Sequence, residues 1–175
     1  MRRPQRNLSD EHSLYEYAVR ALGRRMHSVA ELKRKLRARC SDEAIIEGVV
    51  LRLKDQRYLN DSNYAAAYAG FRRDNEKFGR MRVVNDLKAK GVHGDVIEKA
   101  VSFAYDDVKE ENLARLYLRR KRLQKPEDKD QKQTARIFRQ LMRAGFASKT
   151  IFTILKKWDV DEETLTELEN ETSEV

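Results

Sequence analysis

One cysteine, two prolines, seven glycines and three histidines are all that 175 residues contain of these types, and each scarcity removes a class of answer. Cys40 alone makes no internal disulfide and leaves no cysteine cluster for a metal, which fits a reducing compartment. Pro4 and Pro126 give too little punctuation for a many-stranded β fold. His12, His27 and His93 stand far apart without metal-ligand spacing, each at an expected helix end or turn where a solvated or capping role suffices. No apolar run approaches the length that spans a bilayer, and the opening MRRPQRNLSDEHS is basic but lacks the apolar stretch of a signal peptide. Neither a glycine-rich phosphate loop followed by Lys and Ser or Thr nor a Gly-x-Ser-x-Gly elbow occurs. The expectation is a cytoplasmic, non-enzymatic, monomeric protein with no cofactor, no metal and no membrane contact.

What the chain does contain is charge. Charged residues make up 38% and apolar residues 40%, with a mean hydropathy of −0.82; this balance suits slim helical packing with a large wet surface. Runs rich in Ala, Leu, Lys, Arg and Glu favour helix as well. The net charge of +8 is unevenly spread: Asp159 to Val175 hold eight acidic residues and no Lys or Arg, which leaves the first 158 residues at +16. A body so basic points to a polyanionic partner, a nucleic acid or an acidic protein surface.

The apolar pattern repeats. Val83, Leu87, Gly91, Val96, Ile97, Ala100 and Ala104, moved back by 51 positions, fall on Leu32, Leu36, Cys40, Ile45, Ile46, Val49 and Leu53. Moved forward by 54, they fall on Ile137, Leu141, Gly145, Thr150, Ile151, Ile154 and Trp158, with Thr150 the one polar exception. One further helix precedes each copy, with apolar faces formed by Leu14, Tyr17, Ala18, Ala21 and Leu22, by Tyr64, Ala67, Tyr68 and Phe71, and by Leu113, Leu116, Tyr117 and Leu123. The predicted fold is all-α: three tandem three-helix, helix–turn–helix-like repeats over residues 12–57, 60–107 and 108–158, forming an elongated, curved array. A flexible basic stretch, 1–11, precedes them and an acidic tail, 159–175, follows, read as a disordered or partly helical solvated end.

Local signals fit these boundaries. Ser28 followed by Glu31 is a capping-box pattern, and Asp61 is placed to cap the helix opening the second repeat. Gly91 and Gly145 mark helix ends in the left-handed conformation; Cys40 takes that place in the first repeat, where the turn must bear strain or take another path. The links RRDNEKFG and QKPEDKDQKQ are the expected mobile places.

Catalytic chemistry finds little support. The pairs Asp106–Asp107 and Glu110–Glu111 are the only candidates for a cation-dependent nuclease, and an exposed junction with both glutamates favourable near a helix N-terminus is the plainer reading. Tyr17, Tyr64, Tyr68, Phe71, Phe103 and Trp158 fall at core-like spacing, leaving Phe78 as the candidate exposed ring. The basic residues recur on particular helices of all three repeats. Any one cluster reads as a solvated face, but their recurrence suggests a continuous cationic track that would grip phosphates without sequence preference. By clustering, Arg72, Arg73, Arg80 and Arg82 are the central candidates for this surface, flanked by Lys33, Lys35, Arg37, Arg136 and Arg139. A lone DNA-reading helix–turn–helix fits poorly, because HGDVIEK is acidic where a recognition helix needs base-reading side chains.

The segments HSVAELKRKLRAR, RYLNDSNYAAAYAGFRR, KFGRMRVVNDLKAKGV and LMRAGFASKTIFTIL resemble the RecX family of bacterial recombination regulators over residues 14 to 158, with the motifs in family order. Tyr58-Leu59-Asn60-Asp61, and Phe78-Gly79 followed by Leu87-x-x-x-Gly91, are the most specific pieces. The sequence departs from the family at Asn60, where an aspartate is usual, at Lys77, where a glycine is common, and at Cys40, which lacks the glycine of the other two turns. The resemblance implies a non-enzymatic regulator that binds RecA and RecA–ssDNA filaments. It would limit filament extension and so inhibit RecA ATPase, strand exchange and co-protease activity, modulating recombination, DNA repair and the SOS response. It also implies weaker binding of single- or double-stranded DNA without sequence preference; a DNA-binding protein acting through a basic helical surface is the alternative.

Overall fold

The computed structural model describes residues 8, 10–126 and 130–173, and these are helical, with no strand among them. The helices are α1 (Glu11–Arg24), α2 (Val29–Arg37), α3 (Glu43–Asp55), α4 (Asp61–Phe71), α5 (Arg80–Ala89), α6 (Gly94–Tyr105), α7 (Glu110–Arg120), α8 (Gln131–Arg143), α9 (Ser148–Lys156) and α10 (Glu162–Ser173), with a π-helical turn, Arg72–Glu76, after α4. Most of the basic N-terminal stretch and part of the QKPEDKDQKQ link lie outside the described residues. No described helix is long and apolar enough to cross a membrane.

Two compact units result. The first comprises the chain to Ala67 with Leu87–Glu98, the second Tyr68–Asp86 with the chain from Lys99.

In the first unit, α1, α2 and α3 pack on one another around Leu14, Ala18, Leu32, Leu36, Ile46, Val49 and Leu53, all buried. Each fully buried aliphatic side chain contributes about 1.5–3 kcal/mol relative to exposure. The capping box forms at α2: Glu31 N–H donates to Ser28 Oγ at 3.0 Å and Ser28 N–H to Glu31 Oε2 at 3.2 Å. Asp61 does not cap its own helix. Asn60 Oδ1 does so, accepting from Ser62 and Asn63 N–H at 2.8 and 3.0 Å, and Asp61 Oδ1 accepts instead from Val29 N–H at 2.8 Å, at the first position of α2. Glu31 also takes bonds from Tyr64 Oη (3.1 Å) and Lys90 Nζ (3.0 Å). Burial alone would raise the Glu31 pKa, but these donors and the Ser28 N–H outweigh it and hold the carboxyl below its ordinary value.

The second unit is built on Leu113, Ala114, Tyr117, Leu118, Ile137, Phe138, Leu141, Ile151 and Leu155. Thr150, the polar exception in the repeat, hydrogen-bonds Glu110, which also accepts from Ala147 N–H at 3.3 Å. The end of α9, whose own N-cap residue supplies no side-chain bond, is thus capped from α7. Glu111 pairs with Lys157 at 2.6 Å and with Arg115. The glutamates read as an exposed junction therefore fasten α7 to α9. The acidic segment is likewise not a solvated end: α10 packs on α8 and α9, with Leu165 and Leu168 buried in the same core.

Several expected faces are rotated. The buried side of α4 is Tyr64, Ala65 and Ala69, while Ala67 and Phe71 are exposed. On α7, Leu118 is buried and Leu116 exposed. Ala100 is only half-buried, its neighbour Val101 fully so. Each slip is one residue, about 100° of helix, well within what a tolerant small-residue face conceals.

Gly91 and Gly145 do adopt left-handed backbone, with φ of 73° and 86°. Paired bonds (Val92 N–H to Leu87 O with Gly91 N–H to Lys88 O; Phe146 N–H to Leu141 O with Gly145 N–H to Met142 O) close the helix ends in the Schellman pattern. Arg57, Arg122 and Asp159 make the same closure with φ of 60°, 54° and 64° and no glycine. Cys40 keeps a negative φ, its N–H bonding Leu36 O at 2.9 Å, so the first turn does follow another path.

Candidate functional site

The link RRDNEKFG is wound into the π-helical turn, which Lys77 closes in left-handed backbone, φ 59°. Arg73 fastens this turn, donating to Ala104 O and pairing with Asp74 at 2.7 Å. Arg72 lies 4.9 Å from the Tyr68 ring centre and 5.5 Å from that of Phe78, with Asp86 at 3.8 Å. Beyond the turn, Gly79 is buried and its N–H donates to Ala144 O at 2.8 Å; Met81 N–H donates to Gly145 O at 3.2 Å. A Cβ on Gly79 would collide with the Gly145 carbonyl, and one on Gly145 with the Arg82 backbone. Two residues without side chains thus let the start of α5 lie directly on the turn after α8.

This contact opens a groove of about 420 Å³, lined by Phe78, Arg82, Tyr117, Lys121, Arg136, Gln140 and Arg143. Its floor is aromatic. Phe78 packs 6.2 Å from Tyr117, which meets Phe146 edge-on at 5.7 Å; Tyr105 Oη donates to Phe78 O at 2.8 Å. Burial pushes the Tyr105 hydroxyl pKa well up, so it stays a neutral donor. The rim is cationic. Arg82 pairs with Asp86 at 3.0 Å and lies 5.6 Å from the Phe78 ring centre. Among the described residues Lys121, Arg136 and Arg143 have no carboxylate partner. Because Tyr117 is buried and Phe78 half-buried, the floor offers little ring face for stacking. The arrangement suits an anion held by convergent donors, the strongest of them guanidinium forks.

Of the nine residues predicted for the surface, Arg82 and Arg136 line this groove and Arg72 lies behind it against Phe78. Arg73 and Arg80 are turned to α6, Arg80 donating to Ser102 Oγ at 2.9 Å. Arg139 pairs with Glu171 of α10 at 3.2 Å. Lys33, Lys35 and Arg37 belong to the first unit, where Lys33 meets Glu47 at 2.5 Å and Arg37 is held by Glu43 through bonds of 2.6 and 3.1 Å. Lys121, Arg143 and Gln140 complete the groove and were not singled out. Their signal was present in the i, i+3, i+7 spacing of Arg136, Arg139 and Arg143, but spacing does not show which of a helix's cations a neighbouring carboxylate neutralises. Phe78, expected to be exposed, is half-buried, whereas Phe103 is exposed at 86%, as are Tyr58 and Phe71 to a lesser degree. Among the described residues no cluster of His, Cys, Asp and Glu is placed to hold a metal.

A model for the first three-helix domain of RecX matches residues 15–53, and one for the second three-helix domain matches 60–101. Regulatory protein RecX of Deinococcus radiodurans is 30% identical over 158 residues, which are 89% of this chain and 73% of that protein. The chain belongs to the RecX family. Regulatory protein RecX of Bacillus velezensis is 30% identical over 161 residues and that of Bacillus subtilis 30% over 156, covering 91% and 89% of this chain. The chain spans 60% and 58% of those two relatives. The crystal structure of RecX from Lactobacillus salivarius superposes with a TM-score of 0.67 at 24% identity, over 85% of this chain and 96% of that one. The fold is therefore the RecX fold, helices in tandem threes.

Proposed function

We propose that this RecX-family chain binds RecA and the RecA–ssDNA filament, limits filament extension, and thereby lowers RecA ATPase, strand exchange and co-protease activity. The observation that carries the reading is the groove of the second unit, where Lys121, Arg136 and Arg143, without carboxylate partners among the described residues, line the recess beside Arg82. A cationic recess with a firm aromatic floor suits the phosphates or surface carboxylates of a repeating polyanionic polymer, and it falls within a family of regulatory proteins. The repeats 12–57, 60–107 and 108–158 act in this proposal as successive contact modules, so that weak contacts along a filament add through linkage. Phe103, exposed on α6 next to Ser102, supplies an apolar anchor of the kind that dominates protein contacts.

The same unpartnered cations favour a second reading, direct binding of DNA without sequence preference. One titration separates the two: the protein is added to RecA, single-stranded DNA and ATP, and ATP hydrolysis is followed. Inhibition at amounts well below RecA supports action on the filament. Inhibition only as the protein approaches the concentration of DNA sites supports competition for DNA, and unchanged hydrolysis and filament length contradict the first reading.

A further inference from the structure

The first unit holds a second recess that the groove does not explain. The C-terminal half of α1, the connection to α2 and one residue of α2 surround a pocket of about 260 Å³ lined by Tyr17, Arg20, Arg24, Arg25, His27 and Lys35. Among the described residues, four cations and no carboxylate line it. Arg20 is shared at 3.5 Å with exposed Glu16, and Arg25 reaches Glu31 at 3.5 Å; among the described residues Arg24 and Lys35 have no ion-pair partner. His27 forms part of the wall. Its side chain is only 2% exposed, yet Nδ1 has no hydrogen-bond partner. The nearest carboxylate oxygen, Glu31 Oε2, lies 3.9 Å away, beyond hydrogen bonding, and is already taken by Ser28 and Tyr64.

We infer that this pocket is a phosphate-binding site, with Arg24, Arg25 and Lys35 holding phosphate oxygens at its mouth and the His27 ring forming part of its wall. Four cations around one small recess match a doubly charged tetrahedral anion better than a single carboxylate. The chemistry is that of a phosphoryl group, borne by a nucleic-acid backbone or by a free phosphate. The site lies in the first unit and does not depend on the groove of the second or on RecA.

The test is nuclear magnetic resonance of the full chain at low salt, observing the His27 ring and the arginine side chains during titration with inorganic phosphate and, separately, with an oligothymidylate lacking terminal phosphates. Saturable shifts at His27 and Arg24 with either probe are expected. The phosphate arm reports a free or terminal phosphoryl ligand, the oligonucleotide arm a backbone one. The rim variant Arg24→Glu with Lys35→Glu, whose exposed positions leave the core untouched, should weaken the responding probe at least about tenfold, as expected for two lost charge contacts. A milder variant, Arg24→Gln with Lys35→Gln, should weaken it less at an unchanged melting temperature. Silence at His27 with both probes overturns the inference, as does a folded rim variant that binds as the native chain does. Neither result bears on RecA ATP hydrolysis, which reads the second unit.

Discussion

Gly79 lies so close against Gly145 that a Cβ on it would strike the Gly145 carbonyl, a Cβ on Gly145 would strike Arg82, and the hydrogen bonds from Gly79 to Ala144 and from Met81 to Gly145 seal the contact. Phe78 and Arg82, on either side of Gly79 and the start of α5, owe their place in the groove to it.

Gly145→Ala should therefore be costly twice, once for left-handed backbone and once for the clash with Arg82. Together these come to roughly 2–5 kcal/mol, read as a fall in the urea midpoint at unchanged slope. Gly48→Ala, on a helix with open space around it, is the control and should stabilise slightly. Equal stability of Gly145→Ala and the native chain would contradict the contact.

Stability should fall with acid in two windows. Burial first, and Arg25 next, lower the pKa of His27, a histidine that also faces Lys35 and Glu31. A depressed histidine pKa favours the neutral ring in the folded state. Its contribution is complete above the ordinary value of 6.5 and is lost as pH falls below it toward the folded pKa. Glu31, also depressed, contributes above its ordinary 4.5 and is lost as pH falls below that value. Thermal unfolding between pH 8 and 3 measures both, and His27→Leu should remove the upper window alone.

Asp61→Ala should cost about 1 kcal/mol, the usual loss of an N-terminal cap, although Asp61 lies in α4 and the uncapped helix is α2. Hydrogen exchange should quicken at Val29 and leave Ser62 and Asn63, capped by Asn60, protected as before.

Leu165→Ala should cost on the order of 2–5 kcal/mol, as for a fully buried leucine. Deleting α10 would strip the core of the second unit, so its acidic charge is better probed by Glu171→Ala. That change frees Arg139 and, as an exposed pair, should alter stability by at most about 1 kcal/mol.

The helical class, the threefold apolar repeat and both left-handed glycines were legible in the sequence, because burial at constant spacing repeats whatever the partner. Asp61 illustrates what was not. A capping residue next to a helix start reads as local, and only the fold shows that its oxygen serves a helix 32 residues earlier. Acidic composition similarly hid the role of Leu165 and Leu168, since two buried leucines suffice to seat a charged helix. Basic clustering found the right helices for the groove, yet the cations of Lys33, Arg37 and Arg139 are held by glutamates distant enough in sequence to escape notice. Phe103 was placed inside on spacing alone, one step from the residues that are buried.

The most direct test of the central claim is a charge reversal of Lys121, Arg136 and Arg143 together, titrated into RecA, single-stranded DNA and ATP. All three side chains are exposed and none is ion-paired among the described residues, so the variant should keep its melting temperature. Each lost contact at an exposed surface is worth ~0.2–1 kcal/mol, and 1.4 kcal/mol is a tenfold change. The three together come to ~0.6–3 kcal/mol, so the concentration giving half-inhibition of ATP hydrolysis should rise by about threefold or more. A folded variant that inhibits at the concentration of the native chain would contradict the account.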